Sequence, residues 1–154
     1  MNIHANVRGT SSSIPSKSYS YRSVVSFEDT NLMGNVYFTR HLAWQGRCRE
    51  MFLKDHVADI LDQLSGNLRI VTLKVGCEYF EELRAFDDIE IRMTLSYMRQ
   101  HRIGLAFDYF VRRNGIETLA AQGFQEIGCM TLTSGRLEPT KVPSALAAAL
   151  SAYS

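Results

Sequence analysis

From residue 68 to residue 132 the chain is written almost entirely in period two, and that run constrains the fold more than any other feature. Ile89, Ile91, Met93, Leu95 and Tyr97 alternate with Glu90, Arg92, Thr94 and Ser96, which is the signature of a strand with one face buried. Ile103, Leu105, Phe107, Tyr109 and Val111 repeat the pattern after a turn at residues 99–101. Asn114-Gly115 then marks a tight hairpin, because both residues tolerate the positive φ of a type I′ turn. The preceding stretch, 68–80, places Val71, Leu73, Val75, Cys77 and Tyr79 on one face, with Thr72, Lys74 and Glu78 on the other. The following stretch, 116–132, is apolar on both sides and interrupted by Gly123 and Gly128, which predicts bulges or sharp curvature there.

Upstream, residues 19–27 read as a first strand, with Tyr19, Tyr21, Val25 and Phe27 on one face. Residues 39–54 form the long helix of the chain. Its apolar residues Leu42, Trp44, Cys48, Met51, Phe52 and Leu53 are spread over several faces, the pattern of an enclosed helix. Gly46 in its middle costs ~1 kcal/mol against alanine, so a sheet is expected to press against it there. A second helical turn or two covers residues 56–64, and a short helix is expected at 143–152. Strand, long helix, then four long antiparallel strands define an α+β domain in which a curved five-stranded sheet wraps one helix.

A chain of 154 residues is of single-domain size, and residues 18–154 are read as that domain, with the serine-rich residues 1–17 as a flexible tail. Lysines and arginines are scattered among acids, with a formal charge of +1, so no basic stripe suits nucleic acid. No apolar run approaches the ~20 residues of a membrane span, and none resembles a signal-peptide core, so a cytoplasmic location is expected. Cys48, Cys77 and Cys129 show no metal or redox spacing and read as reduced, buried thiols. No metal site is expected.

Between the first strand and the helix lies Glu28-Asp29-Thr30-Asn31-Leu32-Met33-Gly34-Asn35-Val36-Tyr37. This resembles the Glu-Asp-Thr-Asp-x-x-Gly-x-Val-Tyr motif of bacterial hot-dog thioesterases, in which a curved antiparallel sheet wraps a central helix. It departs at Asn31, where common members carry the catalytic aspartate. The helix departs too. It reads Trp44-Gln45-Gly46-Arg47-Cys48-Arg49, without a glutamate at the Gly46 position. Together these residues resemble a narrower branch, the thioesterases associated with enediyne polyketide synthases, in which the asparagine is normal. His41 stands where a tyrosine is expected in that branch.

The resemblance implies Asn31 and Arg49 as catalytic residues, with substrate bound near Gly34, Asn35, Tyr37 and His41. A neutral amide cannot take a proton near pH 7, but its carbonyl can orient water and its NH₂ can donate to an oxyanion. On residue type alone Asn31 reads equally as an Asx-turn residue. A guanidinium in a partly dry site favours developing negative charge, and Arg49 is favoured over Arg47 by the family pattern alone. The alternative for Arg49 is an ion pair with Glu50, Asp55 or a facing carboxylate. Thr72 is a further candidate donor or else a solvated threonine, and Tyr37 lines an acyl channel or packs in the core.

The implied function is hydrolysis of a polyene β-keto acyl thioester from the carrier-protein domain of an iterative polyketide synthase. The freed β-keto acid readily loses CO₂. No cofactor is expected beyond the phosphopantetheine arm that carries the substrate. Self-association is expected as a dimer or dimer of dimers. A general acyl-CoA thioesterase and a non-catalytic polyketide-binding chaperone are the rival readings.

Overall fold

The computed structural model describes residues 17–154. The tail expected at 1–17 therefore lies, but for Lys17, outside the described residues. Period-two segments became strands: β1 (Tyr19–Val24), β2 (Leu68–Tyr79), β3 (Asp88–Arg99), β4 (Arg102–Arg113) and β5 (Ile116–Thr133). A short β6 (Arg136–Pro139) follows a Ser134-Gly135 turn in which both residues have positive φ. The helices are α1 (Thr39–His56), α2 (Ile60–Ser65) and α3 (Ser144–Ser151).

The sheet is antiparallel in the order β1-β3-β4-β5-β2. β6 pairs with β5 at residues 130–133, continuing the lane that β4 leaves at Gly128. The β4–β5 hairpin turns at Asn114 (φ 52°) and Gly115 (φ 74°), as the type I′ reading requires. Ile89, Ile91 and Met93, then Ile103, Leu105, Phe107, Tyr109 and Val111, are all buried on the concave face. Across them lies α1. Each such side chain, fully buried, contributes about 1.5–3 kcal/mol.

Helix α1 is one-sided within the chain rather than enclosed. His41, Trp44, Gln45, Cys48, Phe52 and Leu53 are buried, while Ala43, Arg47, Glu50 and Lys54 are exposed. Gly46 does not receive a neighbouring backbone: a Cβ built there meets nothing within 4 Å. The close approach occurs one residue earlier, at a glycine of the sheet. A Cβ on Gly123 would stand 2.1 Å from Gln45 Nε2 and 3.1 Å from the Gly76 carbonyl oxygen. The missing side chain at Gly123 therefore makes room for Gln45.

The first strand ends three residues before the expected boundary. Phe27 sits in a 3₁₀ turn (Phe27–Asp29) and is 71% exposed, because Val25, not Phe27, is the last residue of the row to enter the core. The bulges also lie elsewhere than at Gly123 and Gly128, which are both paired in register. They fall at the register breaks between Thr72 and Lys74, Leu95 and Tyr97, and opposite the Tyr109/Phe110 step. In β2 the break reverses the alternation. Thr72 pairs with Ile127 and Val75 with Gln125, and Ile127 and Gln125 are both buried on the concave side. Thr72 therefore shares a face with Val75, although a regular strand would put them on opposite faces.

Leu73, Val75 and Tyr79 are exposed because β2 is the sheet edge. α3 covers the other end of the concavity with Leu146 and Leu150. There Tyr153 joins Tyr19, Phe52 and His56 in an aromatic cluster.

Candidate active site

The loop before α1 is held by its own backbone. Asn31 N–H donates to the Asn35 carbonyl (3.0 Å), Gly34 N–H to the Asn31 carbonyl (2.9 Å), and Tyr37 N–H to the Asp29 carbonyl (2.9 Å). The buried Asp29 carboxylate accepts from Ser26 N–H (2.9 Å) and Ser26 Oγ (3.0 Å), fixing the turn that enters the loop. Gly34 takes φ +84°, a conformation L side chains rarely adopt.

Asn31 Oδ1 accepts from Met33 N–H at 2.9 Å, forming the Asx turn. One lone pair of its carbonyl is thereby taken, and the second lone pair and the Nδ2 donor remain for chemistry. The Asx-turn reading and a role toward water or an oxyanion are compatible in one side chain.

A second group of residues surrounds Arg49. Its Nη1 donates to Gln125 Oε1 at 3.0 Å and approaches Thr72 Oγ1 at 3.5 Å. The β2 bulge is what turns Thr72 toward it. Arg47 is exposed on another side of the helix. Burial weakens the hold of the Arg49 guanidinium on its proton, with Glu50 opposing the effect. No ion pair among the described residues includes Arg49. A half-buried guanidinium held by neutral acceptors keeps its positive charge available to an oxygen that becomes negative.

His41, Gln45 and Arg49 follow one another at i, i+4 and i+8, so they form a polar stripe along one face of α1. The sheet answers each in turn. His41 rests against Trp44, Tyr79 and Tyr109, and its carbonyl accepts from the Tyr109 hydroxyl at 2.6 Å. Gln45 Nε2 donates to the Gly76 carbonyl at 3.1 Å. Gln45 Oε1, both His41 ring nitrogens and Asn35 Oδ1 are buried without a hydrogen-bond partner. Burial pushes the His41 imidazole down to about 4, and the nearby Phe38 carbonyl offsets only part of this. The ring is thus neutral near pH 7 and a weak base.

Burial likewise pushes the Cys48 thiol up to about 12 and Cys77 to about 11, so neither supplies a thiolate nucleophile at neutral pH. Among the described residues no group of three His, Cys, Asp or Glu could hold a metal ion.

Of the candidates read from the sequence, Thr72 and Arg49 are brought together, as are Asn35 and His41, which line one cleft with Phe38 and Tyr79. Tyr37 is 47% exposed and stacks on Phe38. No hydrogen bond among the described residues joins Asn31 to Arg49. Gln125 and Gln45 were missed by sequence reading. The available signal was a glutamine on a buried-facing position of β5, and a second one turn before Arg49 on α1.

A curved antiparallel sheet around one helix, a glycine-turned loop at the helix start and an uncompensated inward arginine define a hot-dog thioesterase. The chain belongs to the Thioesterase-like superfamily, whose model matches residues 25–150. Among solved structures it is similar to the dynemicin thioesterase, at 45% identity and TM-score 0.86, covering 89% of this chain and 97% of that one. Crystal structures of that protein reveal induced-fit and allosteric effects upon polyene binding. More distant structures share the fold. A 1,4-dihydroxy-2-naphthoyl-CoA thioesterase from Synechocystis is 20% identical with TM-score 0.72, covering 88% of this chain and 96% of that one. A 4-hydroxybenzoyl-CoA thioesterase mutant bound to 4-hydroxybenzoyl-CoA is 14% identical with TM-score 0.78, covering 86% and 98%. No curated protein sequence matches the chain.

Proposed function

We propose that this thioesterase releases a polyene β-keto acyl chain from the phosphopantetheine arm of a carrier-protein domain in an iterative, enediyne-type polyketide synthase. The observation that carries this reading is Arg49. It is half-buried, paired with no carboxylate, and held by Thr72 and Gln125 in a chain 45% identical to the dynemicin thioesterase.

Water attacks the thioester carbonyl, its proton passes to solvent, and the thiol leaves after accepting a proton. Lacking a carboxylate base at Asn31, the site lowers the barrier by stabilising the oxyanion. Arg49 supplies charge and Asn31 Nδ2 a hydrogen bond, in surroundings of low polarity where each is worth more than in water. A β-keto thioester is suited to such a site, since its enolate and oxyanion forms both place negative charge on oxygen. The freed β-keto acid could then lose CO₂, as such acids readily do.

Asn31 and Arg49 come from different parts of one chain, and no hydrogen bond among the described residues joins them. Pairing of two chains along the exposed β2 edge, where Leu73, Val75 and Tyr79 lie open, would hide that edge and bring a second loop toward Arg49. The test is rate comparison on a polyene-loaded carrier domain and on simple acyl-CoA. Faster release from the carrier supports the proposal; equal or faster hydrolysis of acyl-CoA overturns the polyketide assignment. Release that is stoichiometric without turnover would favour the chaperone reading.

A further inference from the structure

The loop that carries Asn31 is fastened along one side to residues 82–84. Val36 N–H donates to the Leu83 carbonyl (2.8 Å), Asn35 forms an antiparallel bridge with Arg84, and Asn35 Nδ2 donates to Glu82 Oε1 (3.2 Å). The Asn35 carbonyl in turn accepts from Asn31 N–H at 3.0 Å. The placement of residues 82–84 is thus passed through Asn35 to Asn31.

Those residues open a turn, 82–87, that is itself strained. Phe86 takes φ +71°, which is unfavourable for a bulky L residue, and its side chain is 70% exposed, so burial does not offset the strain. Such a conformation persists where its surroundings over-determine it. Backbone hydrogen bonds to Val25 and the burial of Leu83 fix the depth of the turn. Arg113, the last residue of β4, grips both of its ends. Nε donates to Asp87 Oδ1 (3.0 Å) and Nη2 to Asp87 Oδ2 (2.6 Å), a two-pronged pair, and Nη2 also donates to the Glu82 carbonyl (2.7 Å). The Asp87 carboxylate closes the turn from within by accepting from Arg84 N–H at 2.8 Å. Partial burial works against the charged carboxyl, but these donors hold it below the usual carboxylate range. A single-pronged pair in full solvent would contribute little; here the fork geometry and the 12% exposure of the Asp87 side chain favour a fixed contact.

We infer that Arg113 is a positioning residue for hydrolysis: by clamping Glu82 and Asp87 it holds the 82–87 turn, and through Asn35 the loop of Asn31, in the geometry the reaction uses. The inference rests on the reading of Asn31 as a group that acts in hydrolysis.

Arg113→Gln tests it in two independent ways. Amide hydrogen exchange at Asn31 and Val36 is expected to accelerate roughly tenfold, with the amides of Ile91 and Phe107 in the central strands unchanged. Unchanged exchange at Asn31 and Val36 overturns the inference. Equal acceleration in the central strands also overturns it, because that marks a general loss of stability. Arg113→Lys keeps the charge but not the fork, and its exchange is expected to fall between wild type and Arg113→Gln. Should Arg113→Gln fail to fold, Arg113→Lys decides by the same criteria.

The second readout is steady-state hydrolysis of octanoyl-CoA or of a polyene-loaded carrier domain, whichever the wild type cleaves faster. Arg113→Gln is expected to lower kcat roughly tenfold with KM within about twofold of wild type. In an Asn31→Ala background the same substitution should bring no further fall, since both changes act through one group. A full fall in that background places the effect of Arg113 elsewhere and overturns the inference. If Asn31→Ala alone leaves kcat at the wild-type value, the catalytic reading of Asn31 fails, and Arg113 loses its part in the reaction whatever the exchange rates show.

Discussion

Arg49 Nη1 on α1 lies 3.0 Å from Gln125 Oε1 on β5, a half-buried cation held by a neutral amide rather than by a carboxylate. A partly desolvated charge without a counter-ion is destabilising, and apolar replacement of comparable volume often restores stability. Arg49→Met is therefore expected to hold or raise stability, by up to roughly 1 kcal/mol, while losing hydrolysis. Chemical denaturation beside an activity assay checks both.

Gln125→Glu tests the same pair from the sheet. The new carboxylate would face Arg49 at the distance of the present hydrogen bond, forming a charge-assisted contact and cancelling the free charge. Stability is expected to rise, and the rate to fall by about 10²-fold, the scale of losing one oxyanion donor. Thermal melts with single-turnover kinetics read the two effects separately.

Gly123→Ala is expected to destabilise the fold by roughly 1–3 kcal/mol. Its Cβ would stand 2.1 Å from Gln45 Nε2 and 3.1 Å from the Gly76 carbonyl oxygen. Adding Gln45→Ala should recover part of the loss, since one of the two clashes is with that side chain. A double-mutant cycle by urea denaturation measures the coupling.

His41 makes stability depend on pH. Its folded value of about 4 lies below the ordinary imidazole value of 6.5, so between them the unfolded chain binds more protons. Stability therefore rises with pH through that window, levels off above it, and is lost as pH falls toward 4, by an amount on the order of 2–3 kcal/mol. The aromatic groups against the ring are Trp44, Tyr79 and Tyr109, and Glu81 and Glu82 line the same cleft, so the His41→Leu comparison isolates the imidazole. Denaturation midpoints from pH 4 to 8 should show this slope in the wild type and its reduction in His41→Leu.

The parts of this molecule legible in the sequence were those set by local chemistry. Period-two alternation gave β3 and β4, Asn114-Gly115 gave their following hairpin, and Gly34 gave the turn of the loop. The rest depended on pairing between distant segments. The bulge between Thr72 and Lys74 has no residue signature, yet it brings Thr72 to Arg49 and leaves Val75 on the same face. Gly46 looked like the contact glycine because it interrupts a helix, but the contact belongs to Gly123, which only the register of β2, β4 and β5 reveals. Gln45 and Gln125 escaped notice because a lone glutamine on a buried face resembles surface polarity until its partner across the fold is known. β6 was missed for a simpler reason: four residues after a Ser-Gly turn carry no periodicity to read.

In the proposed mechanism Arg49 provides the electrostatic stabilisation for thioester hydrolysis. The most direct measurement is single-turnover release of free acid from a polyene-loaded carrier domain by the wild type and by Arg49→Ala, with the fold of each verified by its melting curve. The expected result is a loss of at least about 10²-fold in rate with a retained fold. An unchanged rate in a folded Arg49→Ala protein would contradict it.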